Sequence, residues 1–291
     1  MFEKKTFRPA AFLLLLGLLC SVVPQPSIGR SNSSAEYQSP YKVVFSFPKN
    51  ELLRPNSAPP RDDIKLESPT RYENWYSIGT KKNFGAWGPE ARRYPVIEGF
   101  SSLTPQWKRQ RVLAVAYEMV GLPYQHHHIP DWNPPADWPW KTVAYGRNSK
   151  GLDCSDFSSW AYNYGLGIRL KTGILAQAQA ESVSLGADDD VIQIRKIHDD
   201  GGYDSLVKKL VAGDLLYIRK KDEKEIGHVI IWLGKHGQSP DGTPLVIDCT
   251  GPDHTDCNGN AIPIGVQVRP FDREGHYYKS FVHASRIITS E

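Results

Sequence analysis

Three side chains have the types and settings that nucleophilic catalysis needs: Cys154, His228 and Asp248. Cys154 sits in Gly151-Leu152-Asp153-Cys154-Ser155-Asp156-Phe157, where a loop is predicted to break into a helix. A thiol in a first helical turn meets unpaired backbone N–H groups and the positive end of the helix dipole, and both favour thiolate. Asp153 is placed to cap that helix, Asp156 continues the acidic bias of its first turn, and the Cys154 N–H is free to donate to an oxyanion. His228 heads the apolar run Val229-Ile230-Ile231-Trp232-Leu233. A polar side chain opening such a strand needs a partner, and beside a thiol it takes the proton. Asp248 follows Val246-Ile247 on the next predicted strand, where alternation sets it beside His228 to orient the imidazole. These residues also leave blander readings open: a buried structural cysteine, a satisfied core histidine, and an aspartate that fixes the local turn after it.

The elements that must position this trio are legible in outline. Thr104 is a predicted helix cap and Pro105 the first helical residue, with an apolar-periodic run reaching the stop at Gly121 and Pro123. A second helix is predicted from about Ser155 to Tyr164, ended by Gly165. Short runs rich in β-branched and aromatic residues then follow at Asp214–Lys220, His228–Leu233, Pro244–Cys249, Gly265–Phe271 and Phe281–Ile288. Helices first and an antiparallel meander second define an α+β domain over residues 101–291. Ahead of it, residues 30–100 read as a Pro-rich extended arm followed by an aromatic strap, with one short strand near Tyr41–Phe47. The loop from residue 125 to 150 carries His126, His127 and His128. It reads as a polar pocket wall and not a metal centre, because adjacent loop residues rarely aim at one ion.

Five pieces in order resemble the NlpC-type family of bacterial papain-like cysteine peptidases, which cut peptidoglycan stem peptides. They are Gly121-Leu122-Pro123-Tyr124, Gly151-Leu152-Asp153-Cys154-Ser155, Ala212-Gly213-Asp214-Leu215-Leu216-Tyr217, His228-Val229-Ile230-Ile231-Trp232-Leu233-Gly234, and the closing Tyr277 to Ile287. The resemblance implies a papain-like core with Cys154 as nucleophile, His228 as base and Asp248 in the third polar position. It implies that Tyr124 lines the site and that Asp153 and Ser155 contact substrate, commonly at the bond between D-γ-glutamate and the diamino acid. No cofactor is implied. This chain departs from the family at Gln125-His126-His127-His128, at Asp156 after the Cys-Ser pair, and in the length of the loop rich in Trp132, Trp138 and Trp140. All three departures fall on the substrate side.

Composition bounds the rest. A net charge of +3 with no basic stripe excludes nucleic acid as partner. Lys4, Lys5 and Arg8 before the apolar stretch Ala11–Cys20, with small residues at Ser27-Ile28-Gly29, read as a signal peptide over residues 1–29. The stretch is too short to span a bilayer, so the mature chain is expected to be exported to the periplasm or cell surface. In that oxidising setting Cys249 and Cys257 are expected to form a local disulfide, leaving Cys154 as the odd thiol.

Overall fold

A computed structural model describes residues 37–55, 71–74, 77–84, 93–122, 124, 152–186, 190–221, 223–251 and 254–289. The expected signal peptide, Trp75 and Trp87 of the strap, and the loop carrying His126–His128 and its tryptophans lie outside the described residues.

The centre is a six-stranded antiparallel sheet built of β5 (Arg195–Ile197), β6 (Leu215–Arg219), β7 (Ile226–Trp232), β9 (Leu245–Thr250), β10 (Gly265–Pro270) and β11 (Phe281–Arg286), in the order β10-β9-β7-β6-β11-β5. All five predicted strands are present. The plain meander is not: β11 leaves β10 and returns across the sheet to pair with β6, with Ala284 opposite Leu216. Both faces of the sheet are covered, which explains why the β7 run is apolar at every position after His228. Val229 and Ile231 join the cluster formed with the long helices α3 (Pro105–Tyr117) and α4 (Cys154–Leu166). Ile230 and Trp232 face the opposite cluster with Leu206 of α6 (Tyr203–Lys209) and Tyr277 of α7 (His276–Lys279).

The two long helices start and stop by local chemistry. The Thr104 hydroxyl accepts from the Trp107 N–H at 3.2 Å, with Pro105 at the first position. The α4 cap is Asp153, and its stop lies two residues beyond the predicted one. Gly165 is interior, close against Val112 of α3, while Gly167 takes the left-handed conformation at φ 75°. A Cβ on Gly167 would lie 2.6 Å from the Pro95 carbonyl, so that cap is fixed by packing as well as by backbone. Between α4 and α6 the chain forms α5 (Ile174–Gln179) and a small sheet of β2 (Ile168–Arg169), β3 (Ser182–Leu185) and β4 (Asp190–Gln193). No strand was expected there.

Residues 37–55 lie on this domain. β1 (Lys42–Val43) pairs with β8 (Gly237–Gln238), and Tyr41 and Leu52 are buried, Leu52 from α1 (Lys49–Leu52). The predicted strand from Tyr41 to Phe47 is reduced to those two paired residues. Buried Arg111 ties the layers together by donating to the carbonyls of Gly165, Leu52 and Arg54. A further helix, α2 (Ile78–Phe84), precedes α3. Among the described residues no helix is long and apolar enough to cross a membrane.

Candidate active site

The site forms where β7 and β9 part. Their ladder consists of Ile231 opposite Ile247 and Trp232 opposite Val246, and it stops there. The Trp232 N–H donates to Asp214 on the β6 side, so two-residue alternation turns the Val229 N–H toward β9. No β9 residue pairs with Val229. The start of α4 fills the gap instead: the Cys249 thiol donates to the Leu152 carbonyl at 3.0 Å, and the Val229 N–H faces the Cys154 sulfur. Gly227 is the extra residue of a bulge, with Ile218 opposite His228 but Arg219 opposite Ile226. The bulge twists β7 immediately before the histidine.

His228 and Asp248 meet directly. The imidazole Nε2–H donates to Asp248 Oδ2 at 2.7 Å. A carboxylate only accepts, so Nε2 carries the proton and Nδ1 is left as the base. The carboxylate is completely buried and has two further donors: Tyr277 gives its O–H to the same Oδ2 at 2.5 Å, and Arg269 approaches Oδ1 at 2.5 Å. Burial alone would raise the Asp248 pKa, but the Arg269 charge, the His228 bond and the Tyr277 bond outweigh it and hold the carboxyl well below the usual range. Tyr277 also stacks on His228, with ring centroids 5.8 Å apart. Behind it stands His254, whose Nε2 lies 3.2 Å from the Tyr277 oxygen. Since that hydroxyl gives its proton to Asp248, His254 must donate. Burial lowers the His254 pKa to about 4, so the ring is neutral at ordinary pH.

Cys154 is adjacent to this group but not bonded to it. Among the described residues no hydrogen bond links its sulfur to the imidazole, and Cys154 is 7% exposed against 16% for the His228 side chain. The expectation that the helix start favours thiolate is corrected. Burial pushes the thiol up, the Asp153 charge pushes it further, Asp248 and Asp156 add to that, and only the Val229 N–H opposes them. A helix terminus contributes about 0.3–1 kcal/mol, less than one pKa unit, whereas full burial shifts a group by up to about 3–5 units. The resting cysteine is therefore a neutral thiol.

The residues expected to contact substrate lie at the same start of α4. Tyr124 bridges to Leu152, and burial first, then the neighbouring Cys154 and Asp153, raise its pKa. Asp153 Oδ1 accepts from the Asp156 N–H at 2.8 Å and from the Ser155 hydroxyl at 3.0 Å, and all three residues are buried. Burial, and then the Asp153 charge, raise the Asp156 pKa well above the usual carboxylate value.

The expected Cys249–Cys257 disulfide is not formed. Both are free thiols, Cys249 turned into the core and Cys257 exposed on the following turn, where its N–H donates to the Tyr41 hydroxyl. Among the described residues no group of His, Cys, Asp or Glu stands in metal-binding geometry.

Residues 141–248 match the NlpC/P60 family model. The matched segment contains Cys154 and His228 and ends on Asp248, and the family is the one that the motifs resemble. A solved NlpC/P60 family protein from Bacillus cereus is similar at 19% identity and a TM-score of 0.29. The similarity covers 50% of this chain and 34% of that one, so this chain spans about a third of its length. No curated protein matches the chain. The sequence assigns no part in this site to Arg269, Tyr277 or His254; Tyr277 enters there only as the first residue of the closing piece, and His254 only as a zinc ligand set aside for want of a fourth. Arg269 and Tyr277 belong to strand and helix segments whose register the sequence does not declare.

Proposed function

We propose that this chain is an exported cysteine peptidase of papain-like layout that hydrolyses an amide bond in peptidoglycan stem peptides, at the D-γ-glutamyl–diamino acid bond. The observation that carries this reading is the oriented base. His228 Nε2 is fixed on a buried, ionised Asp248 at 2.7 Å, with Cys154 next to the backbone of the following residue. Members of the matched family are generally cysteine peptidases that act on peptidoglycan, which supports the same class.

The mechanism follows from the resting state. With the thiol neutral, proton transfer from sulfur to His228 Nδ1 accompanies attack instead of preceding it. Hydrogen bonds of this kind tighten when substrate closes the site. The sulfur adds to the amide carbonyl, the Cys154 N–H donates to the developing oxyanion, and the imidazolium returns its proton to the leaving amine. Water, deprotonated by Nδ1, then releases the acyl group and regenerates the thiol. Asp248 holds the imidazole orientation and stabilises its charged form throughout.

Mass spectra of muropeptides incubated with wild type and with Cys154→Ser test this reading. New fragments cleaved at the D-γ-glutamyl bond, absent with the variant, are the expected result. Intact muropeptides alongside cleavage of simpler amides would move the same trio to another substrate. A non-catalytic wall-binding role is the second reading, favoured by the buried sulfur and the missing Cys154–His228 bond. Binding to sacculi without any cleavage would establish it.

A further inference from the structure

We infer that Arg269 is a positioning residue for the catalytic pair, acting through Asp248 to hold the charge balance of the site. The inference rests on the peptidase reading above. The third polar position here is an anion, and an isolated carboxylate with no exposure is costly unless it is paired. Arg269 supplies the pairing from β10. Gln267 stands directly opposite Asp248 in the ladder, so Arg269, two residues on, is its diagonal neighbour on the same face. Its Nη1 approaches Asp248 Oδ1 at 2.5 Å, while Nη2 donates to the Pro263 carbonyl at 2.8 Å. Nη1 and Nη2 both reach the Gly265 carbonyl at 3.3 Å. The guanidinium is wholly buried, so neither water nor salt screens it.

The division of labour on Asp248 is specific. Oδ1 faces the arginine, whereas Oδ2 takes the His228 and Tyr277 protons. Arg269 therefore fixes the rotation of the carboxylate that fixes the imidazole. It also offsets a negative charge that Cys154 feels. Among the described residues, the groups facing this centre are Asp153, Asp156 and Cys154 from the start of α4, Tyr124 beside them, Cys249 from β9, Tyr217 from β6, and Tyr277, His254 and His276 from the far side. Arg269 is the permanent cation among them. Removing it raises proton affinity throughout the site, the Cys154 thiol included.

The test needs no substrate. Iodoacetamide labelling of Cys154, resolved from Cys249 and Cys257 by peptide mass spectrometry, is followed between pH 7 and 11, because the thiol is pushed up, for wild type, Arg269→Gln and Arg269→Lys. The expected result is an alkaline shift of the labelling midpoint by about half a pH unit or more in Arg269→Gln, with return toward wild type in Arg269→Lys. A purely structural arginine would lower the melting temperature in both variants and leave the midpoint where it was, and that result overturns the inference. Should Arg269→Gln not fold, the paired Asp248→Asn/Arg269→Gln protein decides: recovery of a cooperative melt supports charge balance, and continued failure overturns it. A wild type that cleaves no muropeptide sinks the peptidase reading alone, because the labelling profile still reports on Arg269.

Discussion

Replacing Asp248 by Asn tests the charged centre most directly. The amide has one accepting oxygen, while the carboxylate serves three donors: His228, Tyr277 and Arg269. If the amide oxygen stays on His228 and Tyr277, its NH2 confronts the guanidinium and leaves a buried cation unpaired. If it turns over, the NH2 faces His228 Nε2–H and selects the wrong tautomer. Breaking a buried ion pair from one side costs about 3–5 kcal/mol. At about 2–4 °C per kcal/mol for a domain of this size, the melting temperature should fall by about 6–20 °C at pH 7. The pH dependence carries a definite sign. The Asp248 pKa is lowered in the folded protein, so its contribution is complete above the unfolded carboxylate value of about 3.9 and is lost as pH falls below it. The difference between wild type and Asp248→Asn should therefore narrow in melts recorded at pH 3. Hydrolysis should fall by about 10²-fold or more, because the base is no longer oriented. Melting curves within about 2 °C of each other at pH 7, with no change at pH 3, would show that Asp248 is not a buried, paired anion.

The other expectations are narrower. Cys154→Ser should abolish muropeptide cleavage with the melting temperature nearly unchanged, and retained activity would require another nucleophile. Tyr277→Phe removes a buried hydrogen bond to a charged group, so it should cost about 1.5–3 kcal/mol in urea denaturation. It should also slow turnover, by leaving Oδ2 with one donor. Asp156→Asn should stabilise the protein at pH 7 by about 1 kcal/mol or more. The folded pKa of Asp156 is raised, so ionisation penalises the native state as pH climbs above about 3.9, and at pH 3 the variant should match wild type. Thiol titration in urea without reductant should count Cys249 and Cys257 as free; a count lacking both would restore the disulfide.

The His228–Asp248 pair that the structure joins and the helix start at Cys154 both carry local signals in the sequence. Cys154 has a capping aspartate at its helix start, His228 has a glycine before it and an apolar strand after it, and Asp248 is a lone carboxylate in an apolar run, where strand alternation turns it toward His228. The disulfide expectation failed on that same alternation. If Asp248 turns toward His228, Cys249 must turn to the opposite face, which is where Leu152 receives its thiol. Proximity along the chain suggested a bond that strand geometry denies. The thiolate expectation failed on magnitude, since the helix terminus is local and visible while the burial and carboxylates that outweigh it come from tertiary packing.

Arg269 shows where such reading stops. Its position diagonal to Asp248 depends on the register of β10 against β9, which neither strand declares by its own pattern. A slip of one residue would turn Arg269 to the other face and leave Asp248 unpaired. The ion pair and the register therefore select each other. A buried charge pair is a weak source of net stability but a strong penalty on every misaligned pairing, because each alternative strands one ion in the core. On this argument the Asp248→Asn/Arg269→Gln protein, with neither charge left to protect, should melt closer to wild type than either single variant while the β9–β10 pairing becomes less exclusive. Hydrogen exchange at the amides of Val246 to Thr250 would detect that loosening as faster exchange. Protection equal to wild type would show that packing alone sets the register.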